Sequence, residues 1–392
     1  MFIQVLLWCL LVAVGSGYTT FDPVCTRPVG SVNFVSSPDA RGTMEILCGS
    51  LFTFIACTWT IHHPNVPEQR DGRNQGLKGD LHWGLKRAWE SAKLALVTVL
   101  APELIISIAW DQRRIARRVK RELQEKAAED GVPWTLVHGH FAAMGGFVIR
   151  YNKSVKGESE RGGVPYHLTA DDVIFLRKSG RLKKLPNVTR DELCDKSKSD
   201  PLLKLIAICQ ISWSIIQISA RAIRRLPISL LELNVLALAA CAIVIYGLCW
   251  YKPKHVQVAR TILTYKGDIP DPLGVAGSLF VAATLFGAVH VAGWNLGFPT
   301  RGEQIVWRGA GTYILTLPCM IVLLYLIGCF LGQILRLKEE TLHSLLGFGG
   351  TLLCWVYLFA RFFILVETVR TFISLPSNVF IATWTVNIPH FA

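Results

Sequence analysis

From Leu202 to Val369 the chain runs as long apolar segments separated by short polar turns. This pattern predicts membrane spans at 203–223, 228–250, 273–296, 311–335 and 344–366. Each is long enough, at 1.5 Å per residue, to cross a hydrocarbon core of about 30 Å. Two earlier windows, 44–62 and 91–110, have similar character, although Pro102-Glu103 interrupts the second. Residues 1–17 read as a signal peptide or a retained signal anchor, and 18–43 as a polar segment. A last, weaker segment at 371–388 contains Pro376 and reads as interfacial, or as a short final element packed on the bundle. The expected organisation is therefore 1–17, 18–43, two apolar segments in 44–110, a soluble insertion at 111–201, and a five-span bundle over 202–392. The expected fold class is all-α, a polytopic transmembrane bundle of about seven spans with a small helical insertion.

The stretch 63–90 is polar. The insertion opens with a basic helix, DQRRIARRVKRELQEKAAED, and continues into WTLVHGHFAAMGGFVI, which is too short to span. Thr169 stands three residues before Asp172, and Thr189 three before Glu192; both pairs match or approximate a capping box. Gly180 is placed to cap the helix that Thr169 starts. No internal repeat is visible, so an inverted-repeat transporter has no direct support.

Composition agrees with the membrane reading: 51% of residues are hydrophobic, 18% are charged and mean hydropathy is +0.38. The net charge of +13 does not imply a nucleic-acid partner. The cations cluster at Arg113, Arg114, Arg117, Arg118, Lys120 and Arg121, directly after an apolar segment, which marks the cytosolic side and a lipid bilayer as partner. Most cysteines lie in apolar segments, where they act as small hydrophobes; Cys48 reads either as a buried thiol or as the partner of Cys25. Topology carries a conflict. A cleaved signal followed by two spans puts the basic insertion outside, against the positive-inside rule. A retained 1–17 span, or a second segment that re-enters, removes it. Asn152 and Asn187 head glycosylation sequons that are used only if the insertion is lumenal.

Candidate chemistry lies in ionisable groups within apolar segments: Glu103, Glu232, His290 and Arg361. Such a group costs about 2.5–3.5 kcal/mol on insertion scales, so it needs a partner or a purpose. Glu232, with Glu103 second, is a candidate catalytic acid or proton relay; the competing reading is an internal ion pair with Arg361. Gln210, Trp213, Gln217, Arg221 and Arg224 recur at three- and four-residue steps and share a helix face, which lines a cavity or forms a hydrogen-bonded seam. His290 and Trp294 are candidates to line an aromatic pocket, or else belong to an interfacial belt. His62-His63 and His138-Gly139-His140 lack a metalloprotease-type carboxylate, so no metal is implied. Neither a phosphate-binding glycine loop nor an Asp-rich pyrophosphate motif occurs, and no cofactor is expected. Asp195 to Asp200, DKSKSD, is placed to bond a helix N-terminus or to dock a partner.

Several strings resemble a largely uncharacterised family of multi-pass membrane proteins of filamentous fungi. They are Arg41-Gly42-Thr43 with Cys57-Thr58-Trp59 and His63-Pro64-Asn65-Val66-Pro67, His138 through Phe147, DKSKSD, and Trp294-Asn295 through Pro299-Thr300 and Trp307-Arg308. The resemblance implies a membrane architecture and an association with secondary metabolism, and assigns no catalytic residue. Two functions are expected. One is an enzyme or accessory factor acting on a lipophilic small molecule, in the endoplasmic reticulum or another secretory-pathway membrane. The alternative is a receptor-like or transport protein whose basic insertion docks a protein partner.

Overall fold

A computed structural model describes residues 31–32, 34–36, 40–70, 76–150, 165–194, 200–254, 256, 258–262, 279–373 and 375–387. The 1–17 segment, Cys25, Asn152 and most of DKSKSD lie outside these residues. The described chain is mostly helical: α1 (Thr43–Ile61), α2 (Leu77–Leu100), α3 (Pro102–Asp130), α4 (Leu136–Ala143), α5 (Ala170–Lys178), α6 (Arg190–Cys194), α7 (Asp200–Ile223), α8 (Leu230–Cys249), α9 (Leu279–Ala292), α10 (Arg301–Ile334) and α11 (Glu339–Phe372). Five of them, α1, α7, α8, α10 and α11, are long and apolar enough to cross a membrane. Five short strands occur among the described residues: β1 (Ser31–Val32), β2 (Phe147–Arg150), β3 (Pro165–His167), β4 (Arg260–Ile262) and β5 (Leu375–Pro376).

The segment expected at 91–110 is not one straight helix. The chain breaks at Ala101, and α2 and α3 meet at 111°. Pro102 supplies the reason: it is well suited to a first helical turn, and it disfavours helical backbone at the residue before it. Helix α2 begins at Leu77, within the polar stretch 63–90.

Two compact units divide the chain: 1–57 with 206–240 and 284–392, and 58–205 with 241–283. In the first, β1 pairs antiparallel with β5, Ser31 opposite Pro376. Ile46, Leu375, Val379 and Phe380 pack together behind that pair. Within the segment expected at 371–388, residues 375–387 form a packed element built on β5 and two short 3-10 turns. Arg221, itself buried, ties this element down by donating to the carbonyls of Pro227, Val379 and Ile381. The long helices α10 and α11 are joined at Leu335–Lys338 and run as a hairpin, where Tyr313 donates to the Leu353 carbonyl at 2.8 Å.

The second unit contains the insertion as a folded domain. Its core includes Leu123 of α3, Phe141 of α4, Phe147 of β2, Leu168, and Val173 and Leu176 of α5. Gly139 lets α4 approach α3 closely, because a Cβ there would lie 2.3 Å from the Ala116 carbonyl oxygen. Thr169 and Asp172 form the predicted capping box of α5, and Gly180 follows its end at φ +74°. Asp130 accepts two bonds from Arg177 and one from the Leu185 amide. The three-stranded sheet, ordered β3-β2-β4, was not foreseen: β2 pairs antiparallel with β3 and parallel with β4, Val148 opposite Thr261.

Candidate functional site

The sequence Ser229-Leu230-Leu231-Glu232 opens α8 and forms a capping box. Glu232 Oε2 accepts from the Ser229 amide at 3.0 Å and from its hydroxyl at 2.8 Å, while Ser229 Oγ accepts from the Glu232 amide. Glu232 therefore sits in the first turn of its helix, where the macrodipole favours a carboxylate, and not near the middle of an apolar run. Its other oxygen, Oε1, pairs with the buried guanidinium of Arg41. The counter-ion is Arg41, from the polar N-terminal segment, and not the expected Arg361. Glu103 repeats the pattern: it is buried in the first turn of α3, in the second unit.

Around the Arg41–Glu232 pair lies a narrow polar cleft lined by Glu45, Gln210, Trp213, Ser214 and Gln217. It leaves about 20 Å³, room for roughly one water molecule. Gln210 Nε2 donates to Thr53 Oγ1 at 3.0 Å, and Thr53 and Ser214 share a further 3.0 Å bond. The α7 stripe thus combines both expected roles, with Gln210 and Ser214 seaming α7 to α1 while Gln210, Trp213 and Gln217 line the cleft. Arg221 departs from the stripe to bind backbone carbonyls. Arg41 Nη1 is buried without a hydrogen-bond partner among the described residues, so the cleft offers one cationic donor. General acid catalysis is a poorer match, because both oxygens of Glu232 already accept strong donors.

His290 and Arg361 belong to a second cluster in the same unit. The Arg361 guanidinium lies 3.7 Å from the centroid of Phe286. His290 rests against Phe286 and Trp307, with ring centroids 4.3 and 5.6 Å away. Its Nδ1 is 3.0 Å from the Phe286 carbonyl and its Nε2 3.1 Å from the Asn234 side-chain oxygen. Asn234 in turn donates to Thr368 at 2.6 Å. Trp294, expected beside His290, is 42% exposed instead and carries Arg308 over its ring at 4.9 Å. Trp307 takes its place as the aromatic neighbour.

In the second unit the histidine pairs are used separately. His138 completes a capping box with Thr135 and reaches the Val188 carbonyl at 2.8 Å. Burial lowers its pKa, and the Val188 carbonyl partly opposes this. His140 is buried with neither ring nitrogen bonded among the described residues. Burial, then Lys252, Arg113 and Arg117, depress its pKa to about 3. Burial likewise lowers buried Lys252 to about 8, although its ammonium donates to the His63 carbonyl and to Gln112. Asn187 is exposed, as a usable sequon requires.

Arg41, Ser229 and Asn234 were missed as site residues. Ser229 carried a readable signal, the Ser-x-x-Glu spacing before an apolar run. Asn234, two residues after Glu232, had the signal of a polar group inside a span. Arg41 had none, since nothing local links it to Glu232.

No curated protein and no solved structure matches the chain. Residues 16–276, more than half of its length, match a family of unknown function (DUF8562), and the chain belongs to that family.

Proposed function

We propose that this is a six-crossing membrane protein of the secretory pathway whose folded basic domain docks an acidic protein partner at the cytosolic face. The observation that carries the reading is the exposed arginine face of α3: Arg114, Arg117, Arg118 and Arg121, at three- and four-residue steps on a packed domain. Asp171 engages Arg118 and Asp111 lies 3.3 Å from Arg114, which leaves Arg117 and Arg121 as the most available cations.

Strand pairing supports the topology. β2 and β4 share a sheet, so 147–150 and 260–262 lie on one side of the membrane. Pairing of β1 with β5, and of Arg221 with residues 379 and 381, groups the N-terminal segment, the 224–229 turn and the C-terminal element. Crossings by α1, α7, α8, α10 and α11, with a sixth in the segment that carries α9, satisfy each of these pairings taken by itself. The bent α2–α3 pair is then not a crossing. A cleaved signal would put the first residues in the lumen and the basic domain in the cytosol, as the positive-inside rule asks.

The test uses tagged full-length protein. Asn152 and Asn187 should carry no glycosidase-sensitive mass, and Arg117→Gln with Arg121→Gln should lose partners that the wild type co-purifies. A glycosylated Asn187, or an unchanged partner set, would sink the reading.

A second reading keeps the lipophilic small molecule of secondary metabolism as ligand. The unpartnered Arg41 Nη1 beside Gln217 favours it, as a donor for a carbonyl or hydroxyl at the cleft. Gln217→Leu should then alter metabolite profiles in a producing strain, and an unchanged profile would argue against it.

A further inference from the structure

Helix α2 presents an apolar stripe that the described residues leave exposed. Leu77, Leu81, Leu85 and Trp89 follow one another at four-residue steps and are 88%, 65%, 61% and 65% exposed. Ala88, Ala92, Leu96 and Val99 extend the same face toward Ala101. The opposite face is the packed one: Gly79, Trp83 and Thr98 are buried, and Thr98 bonds His62 at 3.1 Å. In a water-soluble domain the outward face would be polar and the inward face apolar. Here the outermost line is leucine.

Charge borders the stripe unevenly. Lys78, His82, Lys86 and Lys93 lie along one edge with Trp89 among them, while Asp80 and Arg87 lie along the other. Glu68 pairs with Lys86 and Glu90 with Lys93, on exposed sites where such pairs contribute little. Across the helix four cations face two acids, Asp80 and Glu90. An apolar face flanked by lysines and a tryptophan is the pattern of a helix lying in the membrane interface. The 111° bend at Ala101 allows such a helix to lie flat and the chain to leave the membrane again as α3.

We infer that α2 is an interfacial helix whose Leu77–Leu81–Leu85 stripe is seated among the lipids of an anionic leaflet, with the lysine edge at the headgroups. The partner is an anionic bilayer surface. Its recognition elements are apolar insertion to a depth of about 5–10 Å and attraction between ammonium groups and acidic headgroups. The inference does not depend on the arginine face of α3 or on any protein partner, and it concerns a segment that hydropathy alone reads as polar or as half of a span.

The full-length protein can test it in vesicles. A photoreactive diazirine residue is installed at Leu81 or, separately, at Leu85, one turn away, so that one poorly folding variant does not decide the result. Trp83 on the packed face serves as control. Vesicles contain phosphatidylcholine alone or phosphatidylcholine with phosphatidylserine. On illumination, positions 81 and 85 should give lipid adducts and position 83 adducts within the chain. Phosphatidylserine adducts should exceed that lipid's share of the bilayer several-fold, and Lys78→Gln, Lys86→Gln and Lys93→Gln together should abolish the excess. Water-quenched products or cross-links to protein at 81 and 85 would overturn the inference. So would lipid adducts that show no preference for phosphatidylserine.

Discussion

Arg41 and Glu232 are 191 positions apart in the chain and share a buried ion pair at the N-terminus of α8. The pair joins the polar N-terminal segment to a helix that begins far downstream, and Ser229 occupies the other carboxylate oxygen. Removing one partner of a buried pair leaves an uncompensated charge, at a cost of about 3–5 kcal/mol. Arg41→Met and Glu232→Met should each lower the unfolding temperature of the detergent-solubilised protein sharply. The double variant should recover much of the loss, because no lone charge remains. A double variant as unstable as the sum of the singles would remove the pair as the link.

Hydropathy located helices well and their ends poorly. Windows at 44–62 and 228–250 correspond closely to α1 and α8, yet 311–335 lies within a helix that starts ten residues earlier, where Thr300 and Glu303 form a capping box. Helix ends decide where the ionisable groups sit. Glu103 looks mid-segment in the 91–110 window but occupies a first turn, as Glu232 does near the start of its window, and His290 occupies a last turn. Helix ends are set by side chain to backbone bonds that an apolar count does not register. Arg41, the β2–β4 pairing and the β1–β5 pairing were illegible for a different reason. They join segments more than a hundred residues apart, and short strands at 147–150 and 260–262 have too few alternating positions to announce a partner.

His290, Asn234 and Thr368 connect α9, α8 and α11 through one amide side chain. Interhelical hydrogen bonds in membrane proteins contribute about 0.6 kcal/mol each on average, up to about 1.7. Asn234→Leu breaks two of them, so a loss of about 1–3 kcal/mol is expected, and His290→Leu should cost less once Asn234 is already leucine. A double-mutant cycle read by thermal unfolding in detergent measures that coupling, and strict additivity would show that the network is not shared.

Gly287 of α9 faces α10 at very close range. A Cβ at this position would lie 2.5 Å from both the Cα and the amide nitrogen of Leu315. Backbone cannot rotate aside as a side chain can, so Gly287→Ala must push the helices apart, at about 1–3 kcal/mol for overpacking. Gly347 of α11 has open space where its Cβ would stand. Gly347→Ala should be neutral or slightly stabilising, because alanine is the better helix former by about 1 kcal/mol. The expected order of heat resistance is Gly347→Ala at or above wild type and Gly287→Ala well below it. Equal behaviour of the two variants would contradict the close approach.

Acid should weaken the insertion domain through its histidines. His140 has a folded-state pKa of about 3, and burial lowers His138 as well, while both titrate near 6.5 when unfolded. Above about pH 6.5 the imidazoles are neutral in both states and the native state keeps its full stability. As the pH falls below that value the unfolded chain takes up protons that the folded chain refuses. Each such histidine then removes about 1.4 kcal/mol per pH unit until its folded pKa is reached. His140→Leu leaves no hydrogen bond unmade among the described residues and removes one of these uptake sites. Denaturant unfolding followed by tryptophan fluorescence at pH 7 and pH 5 should show the variant at least as stable as wild type at pH 7. Its advantage should widen by about 1–2 kcal/mol at pH 5. A variant that loses stability at both values, with no change in pH dependence, would mean that the His140 ring is held by polar contacts rather than tolerated without them.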